Sequence, residues 1–80
     1  MVIREAADLA SAVRAARRRH NLRQADLAGL SGTGLRFISE LERGKSTVAL
    51  NKVIDVLNVL GLCIHVTSSQ ELAESRGGLE

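Results

Sequence analysis

Apolar residues recur at intervals of three or four positions in four separate stretches of the chain. In the first stretch, Leu9, Val13 and Ala16 follow this spacing and form a narrow apolar stripe on one side of a helix. The pattern predicts four helices, at residues 6–20, 24–30, 35–43 and 50–60. Residues that tolerate a left-handed backbone follow each helix and are expected to end it. These residues are Asn21, Gly32, Gly44 and Gly61.

The fourth predicted helix carries more apolar residues than one buried face requires. Its core stripe is assigned to Leu50, Val53, Ile54, Leu57 and Leu60. This assignment leaves Val56 and Val59 outside the stripe. We therefore expect the far side of the helix to contact a partner.

The spacing of apolar residues changes after Gly61, where residues 62–67 alternate as in a β-strand. No other segment of the chain has this pattern, and an unpaired strand exposes its backbone hydrogen-bonding groups. We therefore expect two chains to pair their strands across a two-fold axis. The predicted dimer interface comprises Val56, Val59, Leu62, Cys63, Ile64, His65 and Val66. Residues 1–68 are predicted to form one domain, and residues 69–80 a polar, flexible tail without an apolar stripe.

The charge is distributed unevenly along the chain. The net charge of the 80 residues is +2, but residues 14–45 contain eight basic and three acidic residues, a net charge of +5. Such an excess favours a polyanionic partner, although a solvated helix face would also explain it. Composition limits the architecture, because 45% apolar and 25% charged residues in so short a chain are typical of one small globular domain.

Several classes of protein are excluded by composition. No apolar run is long enough to span a membrane, and the N-terminus lacks the pattern of a secretory signal, so we expect a cytosolic protein. Cys63 is the only cysteine, and the two histidines lie 45 positions apart, which argues against a metal site and predicts no cofactor. Phe37 is the only aromatic residue, too few for a protein that stacks on single-stranded nucleic acid. No group of residues has the pattern of a catalytic site, and we expect no enzyme.

Residues 22–44 have the form of a helix-turn-helix. Ala28 is small enough for two short helices to approach where they cross, and Gly32 permits the turn between them. Ile38 and Leu41 would anchor the second helix to the core. The opposite side of that helix, with Arg36, Ser39 and Glu40, would then be free to face base edges.

These residues resemble the Xre family of regulators, which share the fold of the phage λ repressor. The family pattern reads L-T-Q-x-x-L-A-x-x-x-G, followed by I-S-x-(I/L)-E-x-G-K. The positions that match are Leu22, Gln24, Leu27, Ala28, Gly32, Ile38, Ser39, Leu41, Glu42, Gly44 and Lys45. The resemblance covers residues 8–61 and implies an all-α domain of four or five helices. The final strand is similar to that of HipB-type antitoxins, in which the strands of two protomers pair.

The resemblance implies a homodimeric, sequence-specific repressor that binds a palindromic operator in double-stranded DNA. It also implies a second partner, a HipA-like serine/threonine kinase toxin, with a shared operon under the regulator's own control. The alternative is a stand-alone Xre-type regulator without a toxin, as in phages or restriction-modification systems. The residues implied to contact DNA are Gln24, Thr33, Gly34, Leu35, Arg36, Ser39, Arg43, Lys45, Ser46 and Thr47.

Arg36 is expected to read a guanine, since a guanidinium can form two hydrogen bonds to that base, although it could instead bind a phosphate. Ser39 could bind either a base or a phosphate. Gln24 could reach a phosphate or brace the first side chain of the recognition helix. The residues that flank this helix are expected to bind phosphates; they are Thr33, Arg43, Lys45, Ser46 and Thr47.

Three departures from the family pattern concern the helix starts and the outward face. Arg23 replaces the usual Ser or Thr cap of the second helix, and Gly34 is a weaker cap for the third. Leu35 and Phe37 replace polar residues and could contact a thymine methyl group or support the dimer.

Two charged groups near the motif are expected not to contact DNA. Glu42 is interpreted as an internal ion-pair partner for an arginine of the first helix. The run Arg17, Arg18 and Arg19 is interpreted as a solvated face.

Overall fold

A computed structural model of the chain describes residues 1–73, and every regular element of secondary structure in that range is a helix. Four helices follow one another: α1 (Ala6–Arg19), α2 (Gln24–Ser31), α3 (Leu35–Glu42) and α4 (Leu50–Val59). A fifth, shorter helical segment covers residues 69–73. The four helices predicted from apolar spacing are confirmed, each with ends within one residue of those expected.

The ends of the helices follow the local sequence. Gly32 has a φ of +68° and ends α2, as expected for the turn of a helix-turn-helix. Arg23 precedes α2 without a cap from its own side chain, but its backbone N–H donates to Oδ2 of Asp26 at 2.8 Å. Arg23 also lowers the pKa of Asp26, mainly through hydrogen bonds from its guanidinium. An acidic residue in the first turn thus compensates for the missing Ser or Thr.

The hydrophobic core lies between all four helices. Helix α3 packs against α1 and α2, and α4 packs against α2. The buried core residues are Val13, Ala16, Leu27, Ala28, Ile38, Leu41, Val53, Val56, Leu57 and Leu60. Because Ile38 and Leu41 are fully enclosed, α3 is fixed to the domain along one side only.

The predicted orientation of α4 is wrong in part. Val56, assigned to the dimer interface, is 0% exposed and belongs to the core, and Val59 is half-buried against it. Leu50 and Ile54, assigned to the core, are instead exposed by 63% and 41%. The helix has two overlapping apolar stripes, and packing against α2 selects the one that contains Val53, Val56 and Leu57. The predicted surplus apolar face of α4 therefore exists, but Leu50 and Ile54 form it instead of Val56 and Val59.

The segment after α4 is not helical, and residues 62–68 have no regular secondary structure. Within residues 1–73, residues 63–66 form no backbone-to-backbone hydrogen bond, so strand pairing with a second chain stays a prediction. Residues 63–66 are exposed.

The first part of the predicted flexible tail, residues 69–73, is helical in the structure. The Ser68 hydroxyl accepts a hydrogen bond from the Glu71 backbone N–H at 3.0 Å and thereby caps this segment. The spacing of Ser68 and Glu71 is that of a capping box, a signal that the tail assignment overlooked. The rest of the predicted tail, residues 74–80, lies outside the described residues.

Candidate nucleic-acid interface

Helix α3 presents one side to the core and the opposite side to solvent. Ile38 and Leu41 anchor it, whereas the Arg36 side chain on the outer side is 92% exposed. Leu35 in the first turn is also exposed. The expected division of this helix into an anchored side and an outward side is present in the structure.

Most residues predicted to contact DNA lie on one continuous surface. We call this the α3 surface, and define it as α3 with the turn before it and the loop after it. Its exposed members are Gly34, Leu35, Arg36, Arg43, Lys45, Ser46 and Thr47. Thr33 and Ser39 are half-buried members of the same surface. The Thr33 hydroxyl lies 2.9 Å from that of Ser31, inside the turn between α2 and α3.

Phe37 does not belong to the outward face. Its ring is partly buried against the core, and Nζ of Lys52 lies 5.7 Å from the ring centroid. This distance is within the range of a cation–π contact. Of the two apolar departures from the family pattern, Leu35 alone is exposed on the α3 surface.

A buried ion pair fixes the C-terminal end of α3 to the rest of the domain. The Glu42 side chain is 3% exposed, and its two oxygens accept hydrogen bonds from Arg17 Nε at 2.7 Å and Arg17 Nη2 at 2.9 Å. The hydrogen bond to Glu42 is the main reason that the pKa of Arg17 is raised. The predicted ion pair between Glu42 and the first helix is thereby confirmed, and the prediction that Arg17 is solvated is wrong.

Further contacts extend this pair into a network that joins three helices. Arg17 Nη1 donates to the Leu22 carbonyl oxygen at 2.9 Å, and Arg14 Nη1 donates to the Glu42 carbonyl oxygen. Gln24, at the start of α2, donates from Nε2 to Glu42 Oε1 at 3.3 Å. Gln24 therefore braces the last residue of α3 in the free protein, and its predicted contact with a phosphate or with the first side chain of α3 stays a prediction. The network sets the position of α3 relative to α1 and α2.

A second carboxylate on α3 holds two cations of the α3 surface. Glu40 Oε1 accepts a hydrogen bond from Arg36 Nε at 2.9 Å, and Glu40 Oε2 accepts one from Lys45 Nζ at 2.6 Å. These hydrogen bonds, first that of Lys45 and then that of Arg36, lower the pKa of Glu40. Arg36 and Lys45, two of the three cations expected to reach DNA, are thus paired in the free protein.

Comparison with known proteins assigns the chain to a family. A family model described as helix-turn-helix matches residues 13–63. The uncharacterised HTH-type transcriptional regulator y4mF of Sinorhizobium fredii (strain NBRC 101917 / NGR234) is 46% identical over 69 residues, which are 86% of this chain and 91% of that protein. The chain belongs to the helix-turn-helix family of transcriptional regulators. The resemblance noted from residues 22–45 is confirmed.

Solved structures show that this regulator has the fold of HipB. It matches the structure of a HipA-HipB-O2-O3 complex and that of a HipB-O4 20mer complex, each with a TM-score of 0.79 and 23% sequence identity. Each match covers 86% of the regulator and 97% of the solved chain. At this identity the likeness establishes the fold, and it confirms the predicted helical domain.

Sequence reasoning overlooked the part that Glu40 plays in this regulator. Arg36 and Glu40 are four positions apart on one helix, a spacing that does indicate an ion pair. The contact with Lys45 has no such signal, because it depends on the chain reversal at Gly44, where φ is +85°.

Among residues 1–73, no group of three or more His, Cys, Asp or Glu side chains could hold a metal ion. No helix in that part of the regulator is both long and apolar enough to cross a membrane.

Proposed function

We propose that this regulator is a sequence-specific repressor that binds a palindromic operator in double-stranded DNA as a homodimer. The observation that carries the proposal is the placement of α3. One side of the helix is locked into the core by Ile38 and Leu41, and the other presents Arg36 beside the exposed loop that begins at Lys45. A helix held in this way can enter the major groove without losing its packing.

The charge of the surrounding chain favours a nucleic-acid partner. The excess of +5 between residues 14 and 45 includes Arg43 and Lys45, which are exposed at the C-terminal end of α3. Cations at the edge of a recognition helix can bind phosphates and fix its register on the duplex. The exposed Arg18 and Arg19 at the end of α1 are left as a solvated face.

The proposed dimer is supported by apolar groups that the described chain leaves uncovered. Leu50 and Ile54 are exposed on α4, and Ile64 and Val66 are exposed by 53% and 87% in the segment that follows. Residues 63–66 also have unpaired backbone groups within the described chain. A second copy that pairs this segment across a two-fold axis would satisfy the backbone and cover the side chains. Sedimentation equilibrium of the purified chain tests this, and a monomer at micromolar concentration would contradict it.

DNA binding can be tested without knowledge of the operator. The purified regulator is used to select sites from randomised duplexes of about 30 base pairs, long enough for two half-sites one helical turn apart. We expect a palindromic consensus. The logarithm of the association constant for the selected site should fall linearly with the logarithm of salt concentration, with a slope of about −0.9 for each phosphate bound. Failure to enrich any sequence would contradict the proposal.

Two variants separate the expected roles of Arg36 and Lys45. Arg36→Ala should relax selection at one base pair of each half-site, since a guanidinium bound to guanine is worth about 1–3 kcal/mol of discrimination. Lys45→Ala should weaken all duplexes alike and reduce the salt slope by about one phosphate. If Arg36→Ala, like Lys45→Ala, weakened binding to selected and random DNA by the same factor, base reading by Arg36 would be contradicted.

We further propose that the regulator acts as an antitoxin toward a HipA-like serine/threonine kinase in the bacterial cytosol and represses the operon that encodes both. The support is the sequence resemblance to HipB-type antitoxins and the shared fold. The alternative is a stand-alone regulator. Co-expression with a kinase encoded in the adjacent gene decides between them, because an antitoxin should co-purify with the kinase and restore growth. An adjacent gene of another class would favour the stand-alone regulator.

A further inference from the structure

The Glu40 carboxylate bridges Arg36 and Lys45, two of the three cations that the proposed function places on DNA. Each of its oxygens holds one of them, Arg36 Nε at 2.9 Å and Lys45 Nζ at 2.6 Å. The Glu40 side chain is only 15% exposed, whereas Arg36 is 92% and Lys45 46% exposed. The carboxylate therefore lies beneath the two cationic groups and not in front of them.

The Arg36 contact selects which edge of the guanidinium remains available. Glu40 binds Nε, and no residue of the described chain accepts a hydrogen bond from Nη1 or Nη2. Those two groups form a fork that matches O6 and N7 of a guanine. An unrestrained arginine would have to lose side-chain freedom to reach that base, whereas the Arg36 side chain is already held.

The same carboxylate reduces the attraction of this part of the α3 surface for phosphates. Arg36, Lys45 and Glu40 together carry a net charge of +1, in place of +2 for the two cations alone. Phosphate contacts are the same for every sequence, so a neighbouring negative charge weakens binding to random DNA. Glu40 therefore lowers the affinity for random DNA and raises the preference for one base.

We propose that Glu40 is a specificity-determining positioning residue, which aims Arg36 at a guanine and restrains Arg36 and Lys45 from binding phosphates indiscriminately. This inference rests on the proposed DNA-binding function. It assigns to an acidic residue of the recognition helix a role in choosing the operator, without direct contact with a base.

The test compares two variants that change the net charge equally. Glu40→Gln keeps the size of the side chain and its helix propensity but removes the charge. Asp55→Asn is the matched control, because Asp55 is exposed on α4 and no ion pair involves it in the described chain. Affinities of both variants and of the unmodified protein are measured for the selected duplex, for that duplex with the guanine replaced, and for random duplex.

We expect Glu40→Gln to bind random duplex more tightly, with a salt slope steeper by about one phosphate. Its preference for the guanine should fall about tenfold, in the lower part of the range for the loss of one bidentate contact. The loss should be confined to the base pair whose selection also relaxes in Arg36→Ala. In the Arg36→Ala background, Glu40→Gln should cause no further loss at that position. Asp55→Asn should leave the preference unchanged.

Three results would overturn the inference. One is a guanine preference that Glu40→Gln leaves intact. Another is a loss at a different base pair, which would indicate that Glu40 itself contacts a base such as cytosine. The third is an equal loss of guanine preference in Asp55→Asn, which would show that the effect comes from net charge alone. The unmodified protein distinguishes this failure from that of the proposed function. If it selects a sequence but one of the three results is found, only the inference about Glu40 fails. If it selects no sequence, the proposed function fails as well.

Discussion

Two glutamates on α3, Glu40 and Glu42, have opposite environments although they are only two positions apart. Each residue of an α-helix turns by about 100°, so two positions carry a side chain to nearly the opposite side. Glu42 faces inward, is 3% exposed and binds Arg17 of α1. Glu40 lies on the outer side and binds two cations from its own helix and the following loop.

The difference shows that an ion pair takes its role from its location. Removing one partner of a buried pair leaves a charge without solvent or counter-ion, so Glu42 is expected to be essential for stability. Exposed pairs contribute little to stability because water and salt screen them. The Glu40 pairs are accordingly better suited to orienting side chains at a binding surface than to holding the fold together.

The largest effect is expected for Glu42→Gln. This substitution leaves the Arg17 guanidinium buried beside a neutral amide, and the free energy of unfolding should fall by about 3–5 kcal/mol. Urea denaturation monitored by circular dichroism measures the change. Asp55→Asn, which removes a charge from an exposed position of α4 that has no ion pair in the described chain, serves as the control. If Glu42→Gln lowered the free energy of unfolding no more than the control does, the distinction between the two glutamates would be contradicted.

A smaller loss is expected when both partners of the buried pair are replaced. Arg17→Met combined with Glu42→Leu leaves no unpaired charge, so the double variant should be more stable than Glu42→Gln by at least about 1 kcal/mol. Some loss should remain, because Gln24 and the Leu22 carbonyl oxygen each lose a hydrogen-bond partner. The same denaturation experiment decides the order. If the double variant were less stable than Glu42→Gln, the network would require the charges themselves.

Local signals in the sequence were sufficient for the helices and for the outward side of α3. Apolar spacing located each helix within one residue of its ends, and Gly32 marked the turn. The pairing of Glu42 with α1 was predictable because an acidic residue in a basic, DNA-facing motif needs an internal partner. Which of the arginines in α1 would pair with it depended on tertiary packing, and Arg17 was therefore misplaced in the solvated run.

Tertiary packing also decided what the sequence left ambiguous in α4. Val56 and Ile54 are both β-branched residues within overlapping apolar stripes, and contact with α2 placed one inside and the other outside. The bridge from Glu40 to Lys45 requires a chain reversal after α3, so the positions of the two residues in sequence do not reveal it. Strand pairing by residues 62–67 depends on a second chain and stays a prediction.

The smallest expected effect concerns the titration of Glu40. Because Lys45 and Arg36 lower the pKa of this carboxyl group, its pairs contribute to stability above the ordinary glutamate pKa of 4.5 and lose that contribution as the pH falls through the lowered value. Carboxyl carbon chemical shifts measured by NMR during an acid titration should give a midpoint below 4.5.

Lys45→Ala should raise this midpoint more than Arg36→Ala does, since the hydrogen bond from Lys45 is the larger cause of the shift. High salt should also move the midpoint toward 4.5 by screening both pairs. A Glu40 midpoint that neither substitution nor salt changes would mean that the carboxylate does not hold the two cations in solution. The contrast between the two glutamates would then reduce to burial alone, and Arg36 would approach DNA without a fixed orientation.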